Sequence, residues 1–187
     1  MKRNQRLLLA ASIAAVALLA VPALAQAAVW KDGSTNVTKF VELGLTGGEL
    51  FEVPEGESAY GMSCEIHATL TTEGGSTGKI TKYETKGCPT GFGKMSGCTL
   101  ASSESRGLPW SVTVNTTTLT IKNMHTKRTF GSGCAVTELD KTIAEVKVNL
   151  NTPSAITEME WLGSITGYKI ASSFKVDAPN SGTYGIG

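Results

Sequence analysis

The sequence predicts an all-β fold, an antiparallel sandwich or barrel-like domain with two disulfides. Three observations predict it. Apolar residues recur mostly with a period of two rather than 3.6, as on strands that bury one face. Turn-forming clusters separate those runs at short, fairly regular intervals. Beyond residue 27 stand 24 Thr and 21 Gly against only 33 Leu, Ile, Val and Phe together. Thr and the β-branched residues suit a pleated, half-exposed surface.

The chain opens with "MKRNQR", a basic stretch holding Lys2, Arg3 and Arg6. An apolar run, "LLLAASIAAVALLAV", follows, and then "PALAQAA". Small residues flank two cleavage points, after Ala25 and after Ala27. This is the pattern of a secretory signal peptide over residues 1–27. The run falls short of the roughly 20 residues that a membrane span needs. No cysteine stands at the cut to carry a lipid. The alanine-rich composition suggests a bacterial signal. Cleavage leaves 28–187 as one exported β domain, secreted or held at the cell surface, with no transmembrane segment. It also removes three positive charges and no acid, leaving 14 positive against 16 negative groups. No basic patch for nucleic acid remains.

Along the exported part, "TGGE" near 47, "PEGE" near 55 and "EGGS" near 74 read as turns. "CEIHATL" reads as a strand that turns His67 away from the face of Ile66. In "WSVTVNTTTLTIK", 110–122, Trp110, Val112 and Val114 share one face, and Leu119 and Ile121 share the other. The switch at Thr116 to Thr118 suggests a bulge. "KN" at 122 reads as a turn, with His125 close by. "TIAEVKVNL", 142–150, puts Thr142, Ala144, Val146, Val148 and Leu150 together. "NTP" at 151 is a turn. "YKIASSFKV" aligns Tyr168, Ile170, Phe174 and Val176. The closing "NSGTYGIG" could tuck Tyr184 and Ile186 against the body as a last strand. It lacks the terminal aromatic of outer-membrane barrels, and the chain lacks their lipid-facing apolar band.

Four cysteines remain: Cys64, Cys88, Cys98 and Cys134. Neither a zinc site nor a redox site is spaced this way, since no C-x-x-C occurs. An even count in an exported chain points to structural disulfides. Of the three possible pairings, the favoured one closes the glycine-rich loop "GCPTGFGKMSGC" through Cys88 and Cys98. Cys64 then joins Cys134. A hairpin folded about Gly74-Gly75 puts Cys64 opposite Thr85, three residues away from Cys88. Clipping such a loop would stabilise by about 2–4 kcal/mol.

Candidate chemistry is sparse. Glu158 and Glu160 stand two apart and point the same way on a strand. Retaining glycosidases hold two carboxyls about 5–5.5 Å apart. "ITEMEWLG" also resembles part of the E-x-D-x-E strand of the laminarinase-type glycosidases. That resemblance implies a first Glu as nucleophile and a last as acid/base. Aligned on Glu160, this chain has Ile156 at the nucleophile's place and Glu158 at that of the Asp. A small polysaccharide hydrolase using Glu158 and Glu160 is therefore the weaker alternative. No G-x-S-x-G occurs, and His67 and His125 lack evident partners. No catalytic residue, metal site or cofactor is expected. For Trp30, Trp110 and Trp161 the thin core favours burial. The binding reading instead gives Trp110, which follows a turn, and Trp161 to a ligand, with Glu158 and Glu160 beside them.

Taken along the whole chain, the signal, "GKIT", "GCPTGFG", "SGC", "GLPW", "ITEMEW" and "SGTYGIG" resemble small exported proteins of actinobacteria. The resemblance implies export and an all-β domain, and it carries over no activity. The expected function is that of a non-enzymatic envelope or extracellular protein. It would be structural, or bind a cell-wall glycan or another envelope protein. An exported inhibitor acting through the 88–98 loop is a further alternative.

Overall fold

The computed structural model describes residues 28–55, 58–179 and 182–187. The expected signal peptide, residues 1–27, lies outside the described residues. Three short strands, β1 (Trp30–Asp32), β2 (Thr35–Asn36) and β12 (Tyr184–Ile186), form a small sheet in the order β12-β1-β2. The remaining strands are β3 (Val41–Glu55), β4 (Ser58–Thr72), β5 (Thr77–Phe92), β6 (Leu100–Arg106), β7 (Trp110–Val114), β8 (Thr118–Phe130), β9 (Glu138–Leu150), β10 (Glu158–Ile165) and β11 (Tyr168–Asp177).

These nine make one antiparallel sheet that closes on itself. β3, β4 and β5 run as a meander, as do β8, β9, β10 and β11. β11 then returns to β3. β6 and β7 act as one interrupted strand between β5 and β8. β7 pairs with both neighbours, while β6 pairs with β8. β6 also meets β5 where Ser105 Oγ donates to the Tyr83 carbonyl at 2.6 Å. The result is an eight-staved, up-and-down barrel. A barrel of that size is just wide enough for side chains to fill its interior.

Alternation decides what fills it. Leu43, Leu45 and Phe51 of β3 point inward, with Met62, Ile66 and Leu70 of β4 and Ile170 and Phe174 of β11. Gly47 sits in the same inward register. A Cβ there would lie 1.9 Å from the Ser173 carbonyl oxygen, so only glycine lets β3 and β11 approach this closely. Outward positions carry charges, paired as in Lys79–Glu73 (2.6 Å) and Lys127–Glu138 (2.7 Å). An apolar inside and a charged outside reverse the pattern that a transmembrane barrel requires.

The small sheet covers one barrel end. Trp30 is fully buried there, and its indole N–H donates to the Thr77 carbonyl at 2.9 Å. β12 brings Tyr184 and Ile186 down as a last strand, as the sequence suggests, with Ile186 opposite Trp30.

The disulfides correct the expected pairing: Cys64 joins Cys88, and Cys98 joins Cys134. The reason is register. The β4–β5 turn is one residue longer than a fold about Gly74-Gly75 allows, so Thr72 pairs with Gly78. Irregularities at Thr69/Leu70 and at Glu65/Ile66 each add one residue to the β5 side. Together they supply the three missing residues and bring Cys64 opposite Cys88. At the other barrel end the loops after β5 and after β8 run side by side. Cys98–Cys134 and a Gly131 N–H bond to the Thr99 carbonyl (3.1 Å) tie them. The 88–98 stretch is thus no clipped loop. Its first part belongs to β5, and Met95 anchors it in the core. Disulfides of this kind are characteristic of oxidising surroundings.

Four further readings differ from expectation, the first being that "TGGE" near 47 is no turn but lies inside β3. The switch at 116–118 is a hairpin turn, closed by the Asn115 N–H on the Thr118 carbonyl at 2.8 Å, not a bulge. "KN" at 122 is not a turn but lies inside β8, where Asn123 takes a φ of 54°. β8 and β9 change facing together at this level, so Ile143 points inward rather than Thr142 and Ala144.

Candidate functional site

Trp110 and Trp161 lie inside the barrel, 2% and 1% exposed. Trp110 donates its indole N–H to the Arg106 carbonyl at 2.8 Å. Trp161 packs on Phe174 with ring centroids 4.6 Å apart, and Tyr83 stacks at 6.0 Å. Neither ring offers a face to a sugar. The turn before Trp110 gives it no exposure, because alternation along β7 points it inward with Val112.

Glu158 and Glu160 do point outward together, on the barrel wall. Glu158 stands opposite Lys175, and Glu160 stands between Ser173 and Asn149. Asn149, Leu150, Asn151 and Ser173 line a small depression around them, and none of these is an acid. The two carboxyls therefore have only each other there.

Beside Glu160 the wall carries an apolar row. Leu50 of β3 pairs with Ala171 of β11, and Ala171 pairs with Leu162 of β10. All three face outward, Leu50 39% and Leu162 47% exposed. They floor a groove of about 490 Å³, rimmed by Glu52, Lys169, Glu145 and Lys147. The neighbouring outward positions are small, Gly48, Ser63 and Ser173, so the wall is low where the leucines stand. The sequence reading did not single out this row. Its signal is present, since Leu50 and Leu162 break the polar side of otherwise regular alternations.

A second cluster escaped the sequence reading. Glu49 and Arg128 face each other inside the barrel and form a buried ion pair. Tyr83 donates its hydroxyl to the other Glu49 oxygen. Arg128 also donates to the Tyr168 hydroxyl at 3.1 Å and lies 5.2 Å from the centre of the Phe51 ring. Period two could have found them. Glu49 falls in register with Leu45 and Phe51, and Arg128 with Met124 and Phe130.

This cluster makes stability depend on alkaline pH. Burial, then the neighbouring Glu49, holds the Tyr83 hydroxyl well above its ordinary range. Burial likewise pushes Tyr168 up to about 12 from 10.0. An unfolded tyrosine releases its proton first, so above that ordinary value the unfolded chain binds fewer protons than the folded one. Stability is therefore full below about pH 10 and falls as pH rises toward about 12. The Tyr168 shift alone corresponds to about 3 kcal/mol. The melting temperature is expected to fall steeply above about pH 10. A midpoint held steady through that range would mean that both phenols reach solvent.

Both histidines have partners. His67 meets Glu65 at 3.1 Å on the surface. His125 belongs to β8, not to a turn, and contacts Asp140, which also binds Arg106 at 2.9 Å. The His125 contact, aided by Arg106, holds the Asp140 carboxyl below its ordinary range. Among the described residues no group of three His, Cys, Asp or Glu could hold a metal ion. Nor is any helix there long and apolar enough to cross a membrane.

A family model described as "Alkane oxidation protein activator PraA/PraB-like" matches residues 1–167. That stretch holds the apolar row except for Ala171, and both disulfides. No curated protein and no solved structure matches the chain.

Proposed function

From the premise that the chain belongs to the PraA/PraB-like family of alkane oxidation protein activators, we propose a non-enzymatic accessory role. The protein is exported, in the manner of the small actinobacterial proteins that its motifs resemble, with residues 1–27 as its signal. Outside the cytoplasm it promotes alkane oxidation by holding apolar chains on its outer wall. The observation that carries this reading is the exposed Leu50–Ala171–Leu162 row in its groove. The inside of the barrel is filled by packed aromatic and aliphatic side chains, so an alkyl chain is better served outside. Apolar area left in water on a charged wall favours apolar contact by about 25 cal/mol per Å². Glu160 enters as a polar rim group. Cell-wall glycan or another envelope protein remains the partner class for Glu158 and Glu160 on the same face.

Leu162→Asp tests the reading, since residue 162 points to solvent and the barrel should tolerate it. Purified mature protein is added to alkane-oxidising cells growing on n-decane. Wild type is expected to raise the oxidation rate, and Leu162→Asp and Leu50→Asp to lose most of that stimulation at unchanged melting temperature. Full stimulation by both variants would sink the proposal.

A further inference from the structure

The groove is not evenly charged. Its apolar row continues from Leu162 to Lys147, which stands opposite it on β9. At about 4.8 Å between strands, the row from Leu50 to Lys147 runs about 14 Å. Lys147 has no ion pair within 4.0 Å among the described residues. The nearby acid Glu145 is taken by Lys122, and Lys169 faces Glu52 only at 3.9 Å. Glu145 and Glu52 are thus each matched to another lysine, which leaves Lys147, among the described residues, as the rim cation without an ion pair at the end of the row. Glu160 lies on the other side of the apolar row, beside Ser173 and Asn149.

We infer that the groove binds a single-chain carboxylate amphiphile. Its alkyl chain lies across Leu162, Ala171 and Leu50, and its carboxylate rests on Lys147. This deepens the reading above and rests on it. A carboxylate gives Lys147 the ion-pair partner that it lacks among the described residues, and a neutral chain does not. Oxidation of an alkane at its end leads chemically to such a carboxylate. The groove would then take up the product class of the reaction that the family name invokes.

The test is calorimetric titration of the mature, oxidised protein with decanoate and with decan-1-ol, both below the concentrations at which they aggregate. Decanoate is expected to bind about fivefold tighter, the scale of one exposed charge pair. That preference should shrink as salt rises. Lys147→Gln should erase it while leaving decan-1-ol binding unchanged, and Lys147→Arg should keep it. Leu162→Ser should weaken both ligands. Equal binding of the two by wild type, or a preference that survives Lys147→Gln, overturns the inference and leaves the apolar groove standing. Binding of neither ligand overturns it too, and full stimulation by the aspartate variants would then remove the groove reading itself.

Discussion

Arg128→Met is expected to cost the folded protein about 3–5 kcal/mol, because it strands the Glu49 carboxylate in the barrel interior. Glu49 is 0% exposed and Arg128 1%, so water cannot replace the lost partner. Tyr83 would remain as a hydrogen-bond donor to Glu49, yet one hydroxyl does not balance a charge. The loss compares with a total stability of about 5–15 kcal/mol for a domain of this kind. Glu49→Leu should cost a similar amount for the mirror reason. The double variant is the informative one. Replacing both charges with apolar groups of similar volume is often neutral or stabilising. Glu49→Leu with Arg128→Met is therefore expected to recover most of the loss, apart from the Tyr83 and Tyr168 hydroxyls left without partners. Urea unfolding of the two single variants and the double measures this directly. Single variants that lose less than about 1 kcal/mol would show that water reaches the pair.

Trp161→Ala is expected to cost about 3–5 kcal/mol, the usual range for removing a buried indole. The ring touches Phe174 and Tyr83, so its loss opens a cavity beside the Glu49 cluster. Trp161→Phe should cost much less. It keeps an aromatic contact and removes an indole N–H that finds no acceptor among the described residues. Denaturant midpoints of both variants, with ligand titrations of the folded fraction, separate structure from recognition. An alanine variant of native stability that had lost binding would return Trp161 to the surface and to a sugar.

Much of the architecture was legible in the sequence. Period-two runs and turn residues are local properties, and they announce strands however those strands pair. The closing "TYGIG" reads as a strand for the same reason. The even cysteine count in a chain with few large apolar residues reads as two disulfides. Burial of the tryptophans follows from their place in alternating runs and from the thin core. The groove and the ion pair were harder to see. A leucine on the polar side of a strand, or a glutamate on the apolar side, is ambiguous until a neighbouring strand answers it.

By itself the sequence determined that this protein is all-β, that its cysteines pair with one another, and which side of most strands faces inward. Only the tertiary structure decided that the sheet closes into a barrel, that Cys64 meets Cys88, and that Leu50, Ala171 and Leu162 form one row. Alternation fixes a side chain's face from its own strand alone. Which residues become neighbours depends on register, and each irregularity in the β4–β5 hairpin moves every later pairing by one residue.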